Sequence, residues 1–78
     1  MKKLRPPSNM KVRRITMGLS QEYIASKLGM AISSVGGIER GDNPAQKDVA
    51  EKVASILGTK VQTIFRPHPT LKERFVVF

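Results

Sequence analysis

The chain has 78 residues, with 14 Lys and Arg against 6 Asp and Glu, for a formal net charge of +8. That length supports one small domain with one core. The chain contains no cysteine, which excludes disulfides and thiolate metal sites and fits a cytoplasmic protein, and no apolar run is long enough to span a bilayer. The N-terminus is basic but has no apolar segment behind it, so no signal peptide is expected. The surplus of cations points to a polyanionic partner, most simply nucleic acid. Their distribution strengthens this, because Lys2, Lys3, Arg5, Lys11, Arg13 and Arg14 all precede the first acid, Glu22.

Residues 1–8 read as a flexible basic arm. Pro6-Pro7 opposes helix and stiffens the approach to the fold. Two readings of Lys2, Lys3 and Arg5 stay open: an arm lying along DNA, or a solvated terminus. Ser8 or Asn9 caps a first helix that runs to about Met17 and stops at Gly18, with Met10, Ile15 and Met17 facing inward. A second helix runs from Ser20, its N-cap, to Leu28. Ile24, Ala25 and Leu28 share its inner face, and Gly29 ends it in the left-handed conformation. A third helix covers about Ile32 to Arg40, with Val35 and Ile38 inside and Gly41 closing it. Two short helices meeting at a glycine turn form a helix-turn-helix.

A loop, Arg40 to Pro44, follows, with Asp42 expected as a local turn cap. Helix four, about Ala45 to Leu57, carries Val49, Val53, Ile56 and Leu57 on one face with Ala50 and Ala54 beside them, and Gly58 ends it. A short fifth helix covers about Val61 to Phe65. The tail, residues 66–78, begins with helix-breaking Pro67 and Pro69 and ends in Phe75-Val76-Val77-Phe78, an apolar, β-prone run. Such a run rarely stays in solvent. Its expected use is an edge strand or hook that pairs with its copy in a homodimer; the alternatives are a segment folded onto its own core or a frayed end.

Gly18-Leu19-Ser20-Gln21-Glu22, Ala25, Leu28-Gly29, Ser33, Val35, Ile38-Glu39 and Gly41 together resemble the DNA-binding helix-turn-helix of the phage repressor and Cro family. The resemblance covers about Asn9 to Phe65. It implies an all-α, five-helix lambda-repressor-like domain over residues 9–65, here with an added C-terminal strand. It also implies roles for particular residues. Arg14 and Glu39 match a structural ion pair between helices one and three. Gln21 matches a glutamine that binds phosphate and braces the recognition helix. Ile32, Ser33 and Ser34 fall at base-reading positions of helix three, which would enter the major groove. Gly37 falls at a further contact position; Arg40, a phosphate partner, and Asn43, which could reach phosphate or base, lie in the following loop, and Gln46 is a further candidate where helix four begins. Ile32 and Ala31 depart from the family pattern, where a long amide and a capping Ser or Thr are common.

No catalytic set is read. His68 has no cysteine or carboxylate cluster beside it, and Ser20, Ser33 and Ser34 have no histidine placed to activate them. No cofactor or metal is expected. The expected function is a sequence-specific, DNA-binding transcriptional regulator: a phage- or mobile-element-type repressor acting as a dimer on a palindromic operator. The rival readings are the antitoxin of a toxin–antitoxin pair, whose apolar tail would bind a protein partner, and a low-specificity DNA-binding protein.

Overall fold

A computed structural model describes residues 6–78. The described chain comprises α1 (Asn9–Thr16), α2 (Gln21–Leu28), α3 (Ile32–Arg40), β1 (Ala45–Gln46), α4 (Lys47–Ile56), α5 (Val61–Ile64), β2 (Phe65–Pro67) and β3 (Arg74–Val77). The arm residues Lys2, Lys3 and Arg5 lie outside the described residues.

Local chemistry sets the helix ends. The Ser8 hydroxyl accepts from the Lys11 N–H at 3.2 Å, and the Ser20 hydroxyl from the Tyr23 N–H at 3.0 Å. Each supplies one partner for the donors that a helix start leaves unpaired. Gly29 closes α2 at φ 67° and Gly41 closes α3 at φ 83°. An L side chain at either position would meet the following carbonyl oxygen. The start of α3 differs: Ala31 gives it no side-chain cap.

The core gathers Met10 from α1, Ile24 and Ala25 from α2, Val35 and Ile38 from α3, and Ala50, Val53 and Leu57 from α4 and its end, with Ile64 and Phe65 beneath them. Two residues expected inside are not there. Ile15 is 57% exposed and Met17 44%. The helix that contains Ile15 lies with Met10 inward, and Val12 on the same outer side is also exposed.

The main departure from the sequence expectation is a three-stranded antiparallel sheet of order β1-β3-β2. The register pairs Ala45 with Phe75 and Gln46 with Arg74 on one side of β3. On the other side Phe65 pairs with Val77, Arg66 with Val76 and Pro67 with Phe75. The start expected for α4 is therefore strand, and α4 proper begins at Lys47. Phe65 leaves the helical pattern for the same reason, so the expected boundary between residues 65 and 66 falls inside a paired strand.

The apolar tail is also placed differently from the expected edge strand. β3 is the central strand, pairing with β1 through Arg74 and Phe75 on one edge and with β2 through Phe75–Val77 on the other. Val77 is buried, Phe75 packs against the core, and Phe78 extends the link: its N–H donates to the Ile64 carbonyl at 3.2 Å and its carbonyl accepts from Asn9 at 2.8 Å. Phe75 is thus paired on both edges, and Val76 and Val77 are paired on the β2 edge within the same chain. Only the Phe78 side chain, 45% exposed, reaches solvent to a large extent. The turn between β2 and β3 is held by His68, whose Nδ1 accepts from the Thr70 and Leu71 N–H groups at 3.1 and 3.0 Å.

Candidate nucleic-acid interface

The interface is built on a brace beneath α3. Arg14 of α1 reaches Glu39 of α3 with both arms of its guanidinium, Nε to Oε2 at 2.7 Å and Nη2 to Oε1 at 3.0 Å. Its remaining nitrogen, Nη1, donates to the Leu19 carbonyl at 2.8 Å. The Glu39 Oε1 also accepts from the Gln21 side-chain amide at 3.1 Å. The side chains of Arg14 and Glu39 are 11% and 3% exposed. This pair is therefore screened from water and has the bidentate geometry that strengthens such bonds. The hydrogen bond to Glu39 holds the Arg14 guanidinium above its ordinary pKa, against the opposing effect of burial. Three helices are tied at one carboxylate, so α3 keeps one angle to the body.

Above the brace, α3 presents its first turn. Ile32 is 47% exposed, Ser33 is exposed and Ser34 half-buried. One apolar and two hydroxyl side chains can meet thymine methyls and base-edge donors or acceptors in a major groove.

The middle of α3 is narrower than a helix with ordinary side chains. A Cβ built on Gly36 would stand 3.2 Å from Arg40 Nη1 and 3.8 Å from Gln21 Nε2. A Cβ on Gly37 would overlap the Asn43 carboxamide. Gly36 and Gly37 are buried beneath these three side chains. The loop is also tied to Gly37 through backbone, with its carbonyl accepting from Asp42 at 2.9 Å and Asn43 at 3.1 Å. Two glycines in a helix cost about 1 kcal/mol each against Ala, and here they admit Gln21, Arg40 and Asn43 onto the helix surface. The surface of Gly37 is covered, and the exposed Asn43 carboxamide lies over it.

Arg40 is exposed and pairs with Asp42, Nε to Oδ2 at 2.9 Å. Both side chains are more than half exposed, so a phosphate can compete for the guanidinium at small cost. The Asp42 side chain thus meets Arg40, while its backbone N–H donates to the Gly37 carbonyl. Gln46 is exposed in β1, immediately after this loop. Lys11, Gln21 and Arg40 line one open groove of about 440 Å³ between the start of α1 and the end of α3.

Sequence reasoning missed the role of Arg13. Its Nε donates to the Leu57 carbonyl at 2.7 Å and its Nη2 to the Gly58 carbonyl at 3.3 Å. A cation on the last carbonyls of α4 pairs groups the helix leaves open and suits the negative end of its dipole. Adjacent to Arg14 and pointing elsewhere, it gave no sequence signal, because its partners lie 44 and 45 residues away. Among the described residues, no group of three His, Cys, Asp or Glu is placed to hold a metal ion, and no helix is long and apolar enough to cross a membrane.

A family model described as helix-turn-helix matches residues 10–64. A helix-turn-helix-type transcriptional regulator of Methanocaldococcus jannaschii, itself uncharacterised, is 33% identical over 58 residues, covering 74% of this chain and 88% of the relative. Among solved structures, the restriction-modification controller protein C.AhdI of Aeromonas hydrophila superposes with a TM-score of 0.64 at 33% identity, over 70% of this chain and 83% of that one. With the glycine-punctuated α2–α3 pair, its buried ion-pair brace and these three matches, the chain belongs to the helix-turn-helix family of DNA-binding transcriptional regulators of the phage repressor and Cro type.

Proposed function

We propose that this protein is a sequence-specific transcriptional repressor that acts as a dimer on a palindromic operator, of the kind phage and mobile elements use. The observation that carries the reading is the exposed first turn of α3, Ile32 to Ser34, set on a body braced by Arg14, Glu39 and Gln21. Ile32, Ser33 and Ser34 touch base edges. Gln21 and Arg40, which meet over Gly36, engage phosphate on one side of α3, with Asn43 and Gln46 continuing the contact along the loop. The basic residues supply salt-dependent affinity, and α3 supplies discrimination between sequences. A second copy is accommodated on apolar surface of α1, where Val12, Ile15 and Met17 are exposed. Repression is steric: the dimer covers its operator and excludes polymerase.

A second reading concerns the regulated genes rather than the mechanism. The solved neighbour at 33% identity is a restriction-modification controller protein, which favours control of a linked restriction–modification locus.

The test is selection of bound fragments from a random duplex library, with sedimentation of the protein alone and in complex. The expected product is an inverted repeat with half-sites one helical turn, about 34–36 Å, apart, bound by two copies. Recovery of no sequence above competitor DNA, or of a single unrepeated element bound by one copy, would refute the proposal.

A further inference from the structure

We infer that the outer face of the β1-β3-β2 sheet is a second contact surface for the DNA backbone, carried by Arg66 and Arg74 beside Gln46. The inference rests on the DNA-binding reading and extends its footprint from α3 onto the sheet.

Residues directly opposite in an antiparallel pair share a face, and successive residues alternate. Ala45, Phe65 and Val77 are buried, and Phe75 packs on the core, so these residues mark the inner face. The register then puts Gln46 opposite Arg74, and Arg66 opposite Val76, on the outer face. Arg66 and Gln46 are exposed and Arg74 is half-exposed.

Position follows from the neighbours. Gln46 is the exposed second position of β1, three residues past Asn43, so the face begins close to where the α3 surface ends. The two surfaces also meet through β3. The methyl carbons of Val77 and Val76 lie 3.6 and 3.9 Å from where a Cβ on Gly41 would stand. Gln46 and Arg66 face Arg74 and Val76, so they lie two strand spacings apart across the sheet and two residues apart along β3, about 12 Å on the diagonal. That is roughly three to four base-pair steps of duplex.

Charge selects the occupant. Among the described residues neither Arg66 nor Arg74 pairs with a carboxylate. The polar contact of Arg74 is a long one, Nη1 to the Glu73 carbonyl at 3.5 Å. A second copy docked about a two-fold axis would set this cationic face against itself. A phosphate backbone meets it with opposite charge, and arginine forks match phosphate oxygens bidentately.

The test compares wild type with Arg66→Gln, Arg74→Gln and the double variant, and with Arg66→Lys and Arg74→Lys, on the duplex recovered by selection. Circular dichroism and melting verify that each variant is folded. Each glutamine should flatten the plot of log affinity against log salt by about 0.9. Over a fourfold rise in salt, the loss of affinity should shrink about 3.5-fold per contact removed. The lysine variants should keep the wild-type slope, and the ranking of operator sequences should not change, since phosphate contacts carry no base information. An unchanged slope in the folded double glutamine variant overturns the inference and leaves the DNA-binding reading standing, because wild type still shifts the duplex. A changed sedimentation mass in the glutamine variants would also overturn it, by showing a face between copies. Failure of wild type to bind any duplex would remove the DNA-binding reading itself, and this proposal with it.

Discussion

Truncating Arg14 to alanine is the sharpest perturbation of the brace. Glu39 is 3% exposed and sits on the inner side of α3. Without Arg14 its carboxylate keeps one side-chain donor, the Gln21 amide at 3.1 Å. The two guanidinium bonds at 2.7 and 3.0 Å are lost, and the Leu19 carbonyl loses its partner as well. Leaving a buried charge unpaired costs about 3–5 kcal/mol. A domain of this length has a total stability of roughly 4–12 kcal/mol, so Arg14→Ala should remove a large share of it. For a domain this small, ~3 kcal/mol corresponds to a fall in Tm of at least about 12 °C. Urea unfolding followed by far-UV circular dichroism measures the cost directly, and an unchanged slope with denaturant would show that the loss is in stability alone. A paired change, Arg14→Met with Glu39→Leu, removes both charges and should recover most of the loss, as apolar replacements of buried pairs do. A cost below about 1 kcal/mol for Arg14→Ala is the signature of a solvent-screened pair and would refute the claim that this carboxylate is the tie between α1, α2 and α3.

Three further outcomes test the rest of the site. Gly37→Ala places a methyl where the Asn43 carboxamide now lies; the flexible amide should swing away while the helix gains up to about 1 kcal/mol, so thermal stability should hold or rise as DNA affinity falls, and a stability loss above ~2 kcal/mol would show the loop to be rigid instead. Gly29→Ala meets no neighbour within 4 Å but must hold φ near 67°, so the cost should be purely conformational, about 1–2 kcal/mol in urea unfolding; a neutral result would mean that α2 ends differently. Arg13→Ala strips the Leu57 and Gly58 carbonyls of their cationic partner and should cost about 1.5–3 kcal/mol with no change in operator preference, measured by melting alongside a gel shift.

The legibility of the site divides by distance along the chain. The starts at Ser8 and Ser20 and the stops at Gly29 and Gly41 were readable because a cap is decided within a few residues. The partnership of Arg14 with Glu39, 25 residues apart, was available only through the family resemblance. Gly37 shows the limit of that resemblance. A position that carries a contact elsewhere is here a seat for Asn43, and only the coordinates reveal which side chain fills the vacant volume.

By itself, then, the sequence determined five helical segments, the glycine turn between α2 and α3, and a cationic character that asks for a polyanion, because propensity, capping and net charge are local or additive properties. Tertiary structure alone decided that Ala45-Gln46 and Phe65–Pro67 would flank Arg74–Val77 in a sheet, that Ile15 would face solvent, and that Arg13 would close α4. Each of those outcomes depends on which distant backbone edge or carbonyl comes within hydrogen-bond reach after collapse. An apolar run such as Phe75 to Phe78 announces that it will be covered, and strand pairing between remote segments settles what covers it.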